Sequence, residues 1–260
     1  MNFEIKDFDE LGYLGPFKFI NSAECEQLLK ERFISEKLYQ WRKSIHEKSQ
    51  KVIDYSSKNL ILDKIKSLIG NDILLWGSEF IIRKPSEDHE WHMDREFILI
   101  DGITVWLGLK NLNNKTSVSL ITHSHKLKTQ PYFFNFNENK NKNNYDKLIL
   151  DEAKKLNPEC KLKTFYLEPG ELIVWKDRIW HSTKNESQDT RYSIIYQYCK
   201  PKYKVKMPIE NSYGNVKFSN KDVPCVLLNG EDKYKLNKII SKKVEPKNKL
   251  LRKLRRLILY

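Results

Sequence analysis

Between Ile73 and Tyr198 the chain is broken into short apolar runs, many of them alternating with polar residues, and this pattern leaves few architectures open. The runs are Ile73–Arg83, Gly102–Leu109, Val118–Thr122, Thr164–Leu167, Glu171–Trp175 and Tyr192–Tyr198. Many short strands divided by turn signals predict an antiparallel sandwich or barrel, a mainly β fold. Helices are predicted before them, at Ala23–Arg32 with Asn21 or Ser22 as cap and at Asn59–Ile69, with a strand-like Gly15–Ile20 in front. The nearly all-polar Asn135–Asn144 reads as an exposed loop leading into a helix at Tyr145–Leu156, an insertion of the kind that lies over the mouth of a barrel. No internal repeat and no domain boundary stands out. One domain over residues 1–241 followed by a tail over 242–260 is the simplest division.

A chain of 260 residues with 40% apolar side chains, nine Gly and nine Pro can bury a core, which excludes disordered and low-complexity classes. The acidic opening lacks the order of a secretory signal, and no apolar window is long enough to span a bilayer, so a cytoplasmic location is expected. Cys25, Cys160, Cys199 and Cys225 stand singly and read as reduced structural thiols rather than a zinc site or disulfide framework.

The net charge of +13 is unevenly spread. Residues 242–260 carry eight Lys or Arg and one Glu, more than half of the excess, and leave a body that is only mildly basic. In that tail Leu250, Leu251, Leu254, Leu257 and Ile258 share one helical face and the basic residues take the rest, after a break at Pro246. Three readings compete: a helix docked on the body, a helix on an anionic membrane surface that would make the protein peripheral there, and a nucleic-acid arm. Nucleic acid is the weakest, because aromatics for base stacking are missing apart from Tyr260.

Six histidines are present and two of them stand out. His92 and Asp94 lie two apart, so on an extended chain an imidazole and a carboxylate project from one face. Downstream, the Pro169–Gly170 turn launches a strand whose end presents His181, a second imidazole that completes a facial set of two histidines and one carboxylate. Such a set leaves three positions open on a metal, as redox iron chemistry requires. Trp91 and Trp180 each precede a histidine and, by alternation, pack behind it. Ten residues after His181, Arg191 opens an apolar strand, suited to a bidentate grip on a carboxylate inside the barrel. A lone His-x-Asp arises often by chance, and an arginine at a strand start is commonly a surface residue. The joint order is much more specific than either part.

With these residues in place the chain resembles the phytanoyl-CoA dioxygenase family of iron(II)- and 2-oxoglutarate-dependent oxygenases, in particular its branch of non-haem chlorinating enzymes. The likeness runs through GYLGPFKFINSAECEQL, LLWGSEFIIRKP, WHMD, ITVWLGLKNL, ITHSHK, EPGELIVWKDRIWHS, the Arg191 strand and YGNVKFSN. It implies a double-stranded β-helix (jelly roll, cupin-like), with Fe(II) on His92, Asp94 and His181, and with Arg191 on the distal carboxylate of 2-oxoglutarate. It also implies that Thr104 and Trp106 line the cosubstrate pocket, and that O2 is a cosubstrate. The chlorinating branch has Ala or Gly where this chain has Asp94, so the resemblance implies hydroxylation or a related oxidation, with release of succinate and CO2, rather than halogenation; hydroxylation of an aliphatic carbon is the expectation taken forward.

The remaining histidines read as structural. His89 falls on a loop near the rim, His123 and His125 secure a turn by hydrogen bonds, and His46 lies in an exposed helical stretch. Arg83, Arg95 and Lys110 could meet an anionic substrate, though each alone reads as a solvated surface charge. The substrate expected is a biosynthetic intermediate, a small metabolite or one linked to a carrier protein, nucleotide or lipid, which a basic surface suits. Two rivals stand beside the oxygenase: a non-catalytic jelly-roll module tethered to a membrane surface by the tail, and an enzyme oxidising nucleic acid, whose binding would fall steeply with salt.

Overall fold

The computed structural model describes residues 3–34, 40–94, 99–131, 144–209 and 217–244. All but the first three residues of the basic amphipathic helix expected over 242–260 lie outside them, as do most of the Asn135–Asn144 loop, Arg95 and the first half of YGNVKFSN. The chain begins with helix α1 (Phe3–Leu11), strand β1 (Tyr13–Lys18), and helices α2 (Ser22–Leu29), α3 (Gln50–Ser56) and α4 (Asn59–Ile69). Asn21 caps α2: its side chain accepts from the Glu24 backbone N–H while the Glu24 carboxylate accepts from that of Asn21. The α-helix stops at Leu29, short of the expected Arg32, and a 3-10 turn continues to Phe33.

The strands that follow are β2 (Ile73–Arg83), β3 (His89–His92), β4 (Ile103–Lys110), β5 (Thr116–Ile121), β6 (Leu162–Phe165), β7 (Glu171–Lys176), β8 (Trp180–Asn185) and β9 (Arg191–Cys199). Helix α5 (Tyr145–Leu156) separates β5 from β6, and β10 (Lys206–Pro208), β11 (Phe218–Asp222), β12 (Pro224–Asn229) and β13 (Lys238–Ile240) complete the order. Seven strands form one sheet in the order β1-β7-β4-β9-β2-β12-β13, four form another in the order β3-β8-β5-β6, and β10 pairs with β11. All pairings are antiparallel except β12 with β13.

Period-two alternation sends the two faces of the large sheet into two cores. Val105, Leu107, Leu172, Val174, Ile194 and Tyr196 pack under Leu28, Ile53, Ile61 and Ile65 of the helices. Their neighbours Trp106, Ile173, Trp175 and Ile195 point the other way and meet Val118 and Leu120 of the small sheet. Two facing antiparallel sheets of this connectivity form the double-stranded β-helix. Gly170, at φ +86, makes the turn before β7: its N–H donates to the Gly108 carbonyl, and a Cβ there would lie 2.0 Å from the Ile20 carbonyl oxygen.

Two expectations are corrected. Helix α5 does not lie over the mouth. Its Ile149 and Ala153 pack with Trp91, Met93, Ile121 and Trp180 on the outer face of the small sheet, because those aromatics alternate away from the interior and need a cover. His46 is not exposed but fully buried. Its Nε2–H donates to the Pro224 carbonyl at 3.0 Å, and its Nδ1 accepts from the Ser78 hydroxyl at 2.7 Å, whose oxygen accepts from the His46 backbone N–H. With both ring nitrogens satisfied, the ring can leave water and tie β2 to β12.

Burial pushes the His46 imidazole down to about 4, from an ordinary value of 6.5. The folded chain therefore holds it neutral, so its contribution is complete above the unfolded pKa and declines as pH falls from 6.5 toward 4. We expect a loss of about 3 kcal/mol over that window. Urea unfolding at pH 7.5 and pH 4 should show it as an excess fall in the parent relative to a His46→Gln chain; equal falls would contradict the assignment.

Candidate metal centre

His92 ends β3 and His181 is the second residue of β8. The two strands pair with these residues directly opposite, bringing the rings to 4.1 Å between centroids. Asp94 follows two residues after His92, and one donor atom each from His92, Asp94 and His181 lies within 4.8 Å of the others. The ring orientations are set by the chain itself. Nδ1–H of His92 donates to the Glu90 carbonyl at 2.7 Å and that of His181 to the Ile179 carbonyl at 2.9 Å, which leaves both Nε2 atoms as acceptors. On Asp94, Oδ2 accepts from the Thr104 hydroxyl and from Gln197 Nε2, both at 3.1 Å.

The protonation states suit a cation. Burial, then the charge of His181, pushes His92 down to about 3, against the pull of Asp94. Burial likewise lowers His181. Burial alone would raise the Asp94 carboxyl, but the charges of Lys43, His181 and His92 and the Thr104 hydrogen bond outweigh it and hold it below its usual range. Two neutral imidazoles and one carboxylate are a donor set for a divalent transition metal, with no proton to displace.

Arg191 is completely buried on the interior face of β9. Its terminal nitrogens donate to the Thr183 hydroxyl at 3.0 Å and the Lys184 carbonyl at 3.2 Å, and its guanidinium stands 5.5 Å over the Trp106 ring. Its Nε has no hydrogen-bond partner, and no carboxylate pairs with it among the described residues. Thr104 is buried on β4, with its hydroxyl between Asp94 and Asp177, at 3.0 Å from the latter.

Some residues in this neighbourhood went unnoticed in the sequence. Gln197 was one; its position, at even spacing from Arg191 on the same strand, put a polar side chain on the interior face. His89 opens β3 rather than a loop, and its ring lies 4.0 Å from that of His92. His123 and His125 do secure a turn: His123 Nδ1 meets the Thr122 hydroxyl, and His125 Nε2 the Asp9 carbonyl of α1.

A double-stranded β-helix with two histidines and a carboxylate converging in its interior defines the cupin-like class of non-haem metal oxygenases. The chain matches the phytanoyl-CoA dioxygenase (PhyH) family over residues 8–193 and belongs to that family. It is thereby an Fe(II)- and 2-oxoglutarate-dependent oxygenase in kind. No curated protein matches it in sequence. Among solved structures, the non-haem monooxygenase ThoJ in its Ni complex is 16% identical with a TM-score of 0.63, over 98% of this chain and 95% of that one. CytC3 with Fe(II) and alpha-ketoglutarate is 20% identical at TM-score 0.64, over 92% and 93%. EctD from S. alaskensis with 2-oxoglutarate and 5-hydroxyectoine is 14% identical at TM-score 0.59, over 81% and 80%. At these identities the likeness is one of fold.

Proposed function

We propose that this chain hydroxylates an aliphatic carbon of a small biosynthetic intermediate, consuming 2-oxoglutarate and O2 and releasing succinate and CO2. The observation that carries the reading is the convergence of His92, Asp94 and His181, with both imidazoles held by backbone carbonyls so that Nε2 faces the shared point. Iron(II) held there supplies the oxygen-activating redox chemistry, with 2-oxoglutarate as its two-electron reductant. Asp94 fills the third ligand place, which favours hydroxylation over halide transfer. Arg191, buried with an unpartnered Nε, is suited to grip the distal carboxylate of 2-oxoglutarate. Trp106 beneath it keeps water from that charge.

Among the described residues no helix is long and apolar enough to cross a membrane.

The test is anaerobic addition of Fe(II) and 2-oxoglutarate, expected to give a weak visible charge-transfer band, followed by air and a substrate screen read as succinate. A chain that gives neither band nor succinate with any candidate is no oxygenase.

A further inference from the structure

Gln197 is fully buried on β9 and faces the same interior as Arg191. Its Nε2 donates to Asp94 Oδ2 at 3.1 Å and lies 3.3 Å from Thr104 Oγ1, whose one proton is shared between that same Oδ2 at 3.1 Å and Asp177 Oδ1 at 3.0 Å. Gln197 is thus the donor that Oδ2 does not share with Asp177, and no donor among the described residues reaches the other carboxylate oxygen. The amide orientation follows from this network, since turning it over would set Oε1 against a carboxylate and a hydroxyl oxygen.

The amide is retained at a cost. Its Oε1 is buried with no partner among the described residues, and a buried unsatisfied carbonyl is unfavourable. Leucine would fill the same space without that penalty, so packing alone does not account for glutamine. The opposite strand makes room for it as well. Gly77 pairs with Gln197 at a bulge in β2, and a Cβ there would lie 2.6 Å from Oε1 and 3.1 Å from the Gln197 Cβ.

We propose that Gln197 is a positioning residue that keeps Asp94 a one-oxygen ligand, with Gly77 a glycine because the amide needs its place. This rests on the reading of His92, Asp94 and His181 as the metal ligands. Without the Gln197 donor, Oδ2 is freed to turn toward the metal, and the carboxylate competes for a position that 2-oxoglutarate needs.

The test uses the full chain with Gln197→Leu and Gly77→Ala, beside the parent and Asp94→Ala. Ni(II) affinity is measured by calorimetric titration, thermal melting by scanning, and 2-oxoglutarate affinity by the charge-transfer band of the Fe(II)-loaded chain without oxygen. In both variants Ni(II) affinity should stay within about threefold of the parent while 2-oxoglutarate affinity falls by about tenfold or more, the scale of an outer-shell loss. Unchanged 2-oxoglutarate affinity overturns the proposal. So does a joint fall of metal binding, 2-oxoglutarate binding and melting temperature, which marks a packing role. If Asp94→Ala binds Ni(II) as tightly as the parent, the ligand reading itself fails, and this proposal falls with it.

Discussion

An Asp94→Ala chain is expected to form succinate at less than about one hundredth of the parent rate, beyond what loss of an outer-shell partner alone produces. Asp94 is the only one of the three candidate ligands that carries charge. Without it, a divalent ion between two neutral imidazoles would have no anionic ligand from the protein, which weakens its hold in a low dielectric. The substitution also takes the Oδ2 acceptor from the Gln197 amide, while the Thr104 hydroxyl keeps Asp177 Oδ1 at 3.0 Å. A stability cost of about 1–3 kcal/mol for a buried amide that has lost its acceptor should therefore accompany the loss of turnover. Succinate formation and thermal melting separate the two effects: a chain that melts close to the parent yet makes no succinate has lost the metal chemistry alone. Succinate production at the parent rate would remove Asp94 from the ligand set.

The second large effect is expected at Arg191, and its sign differs with and without 2-oxoglutarate. Burial, reinforced by the charge of Arg83 and opposed by that of Asp88, pushes the guanidinium down to about 10, which still leaves it charged at neutral pH. Its hydrogen bonds go to neutral oxygens of Ser117, Thr183 and Lys184. A buried cation without a paired anion is a strain on the empty fold and an attraction to a dicarboxylate. Arg191→Leu should therefore melt at or above the parent temperature without 2-oxoglutarate, and lose the upward shift that 2-oxoglutarate gives the parent. Half-saturation by 2-oxoglutarate should move up by about a hundredfold or more, from the roughly 2–5 kcal/mol carried by a buried charge pair. Arg191→Lys should recover little of it, since an ammonium cannot reproduce a two-point contact. Parent-like saturation by 2-oxoglutarate in Arg191→Leu would move the carboxylate site elsewhere.

How much of this was legible in the sequence depends on how local each signal is. His92 and Asp94 do come together, although β3 ends at His92 and the alternation that suggested it does not run on to Asp94, whereas Asn59–Ile69 and Ile73–Arg83 have the bounds their periodicity gives. Arg191 was legible because a guanidinium in an apolar run demands a reason. His46 was not: its partners Ser78 and Pro224 lie 32 and 178 residues away, and nothing near it in the chain announces them. The short α3 was missed as well, since seven residues hold barely two turns of periodicity. For α5, the length and polarity of the surrounding sequence told that a helix was inserted, but not which face of the sheet it covers. The apolar Trp91 and Trp180 decided that, and they belong to other strands.

Asp146 of α5 accepts from Trp91 Nε1 at 2.9 Å and pairs with Lys184 at 2.7 Å, so a single carboxylate is bolted to both β3 and β8. These are the two strands that carry His92 and His181. The inserted helix thus acts as an external splint on the histidine pair, applied from the side opposite the substrate. The framework that sets the imidazole spacing and the surface that meets substrate are then separate pieces of chain. Residues on the open side are free to diverge toward new substrates without the histidine geometry having to be found again.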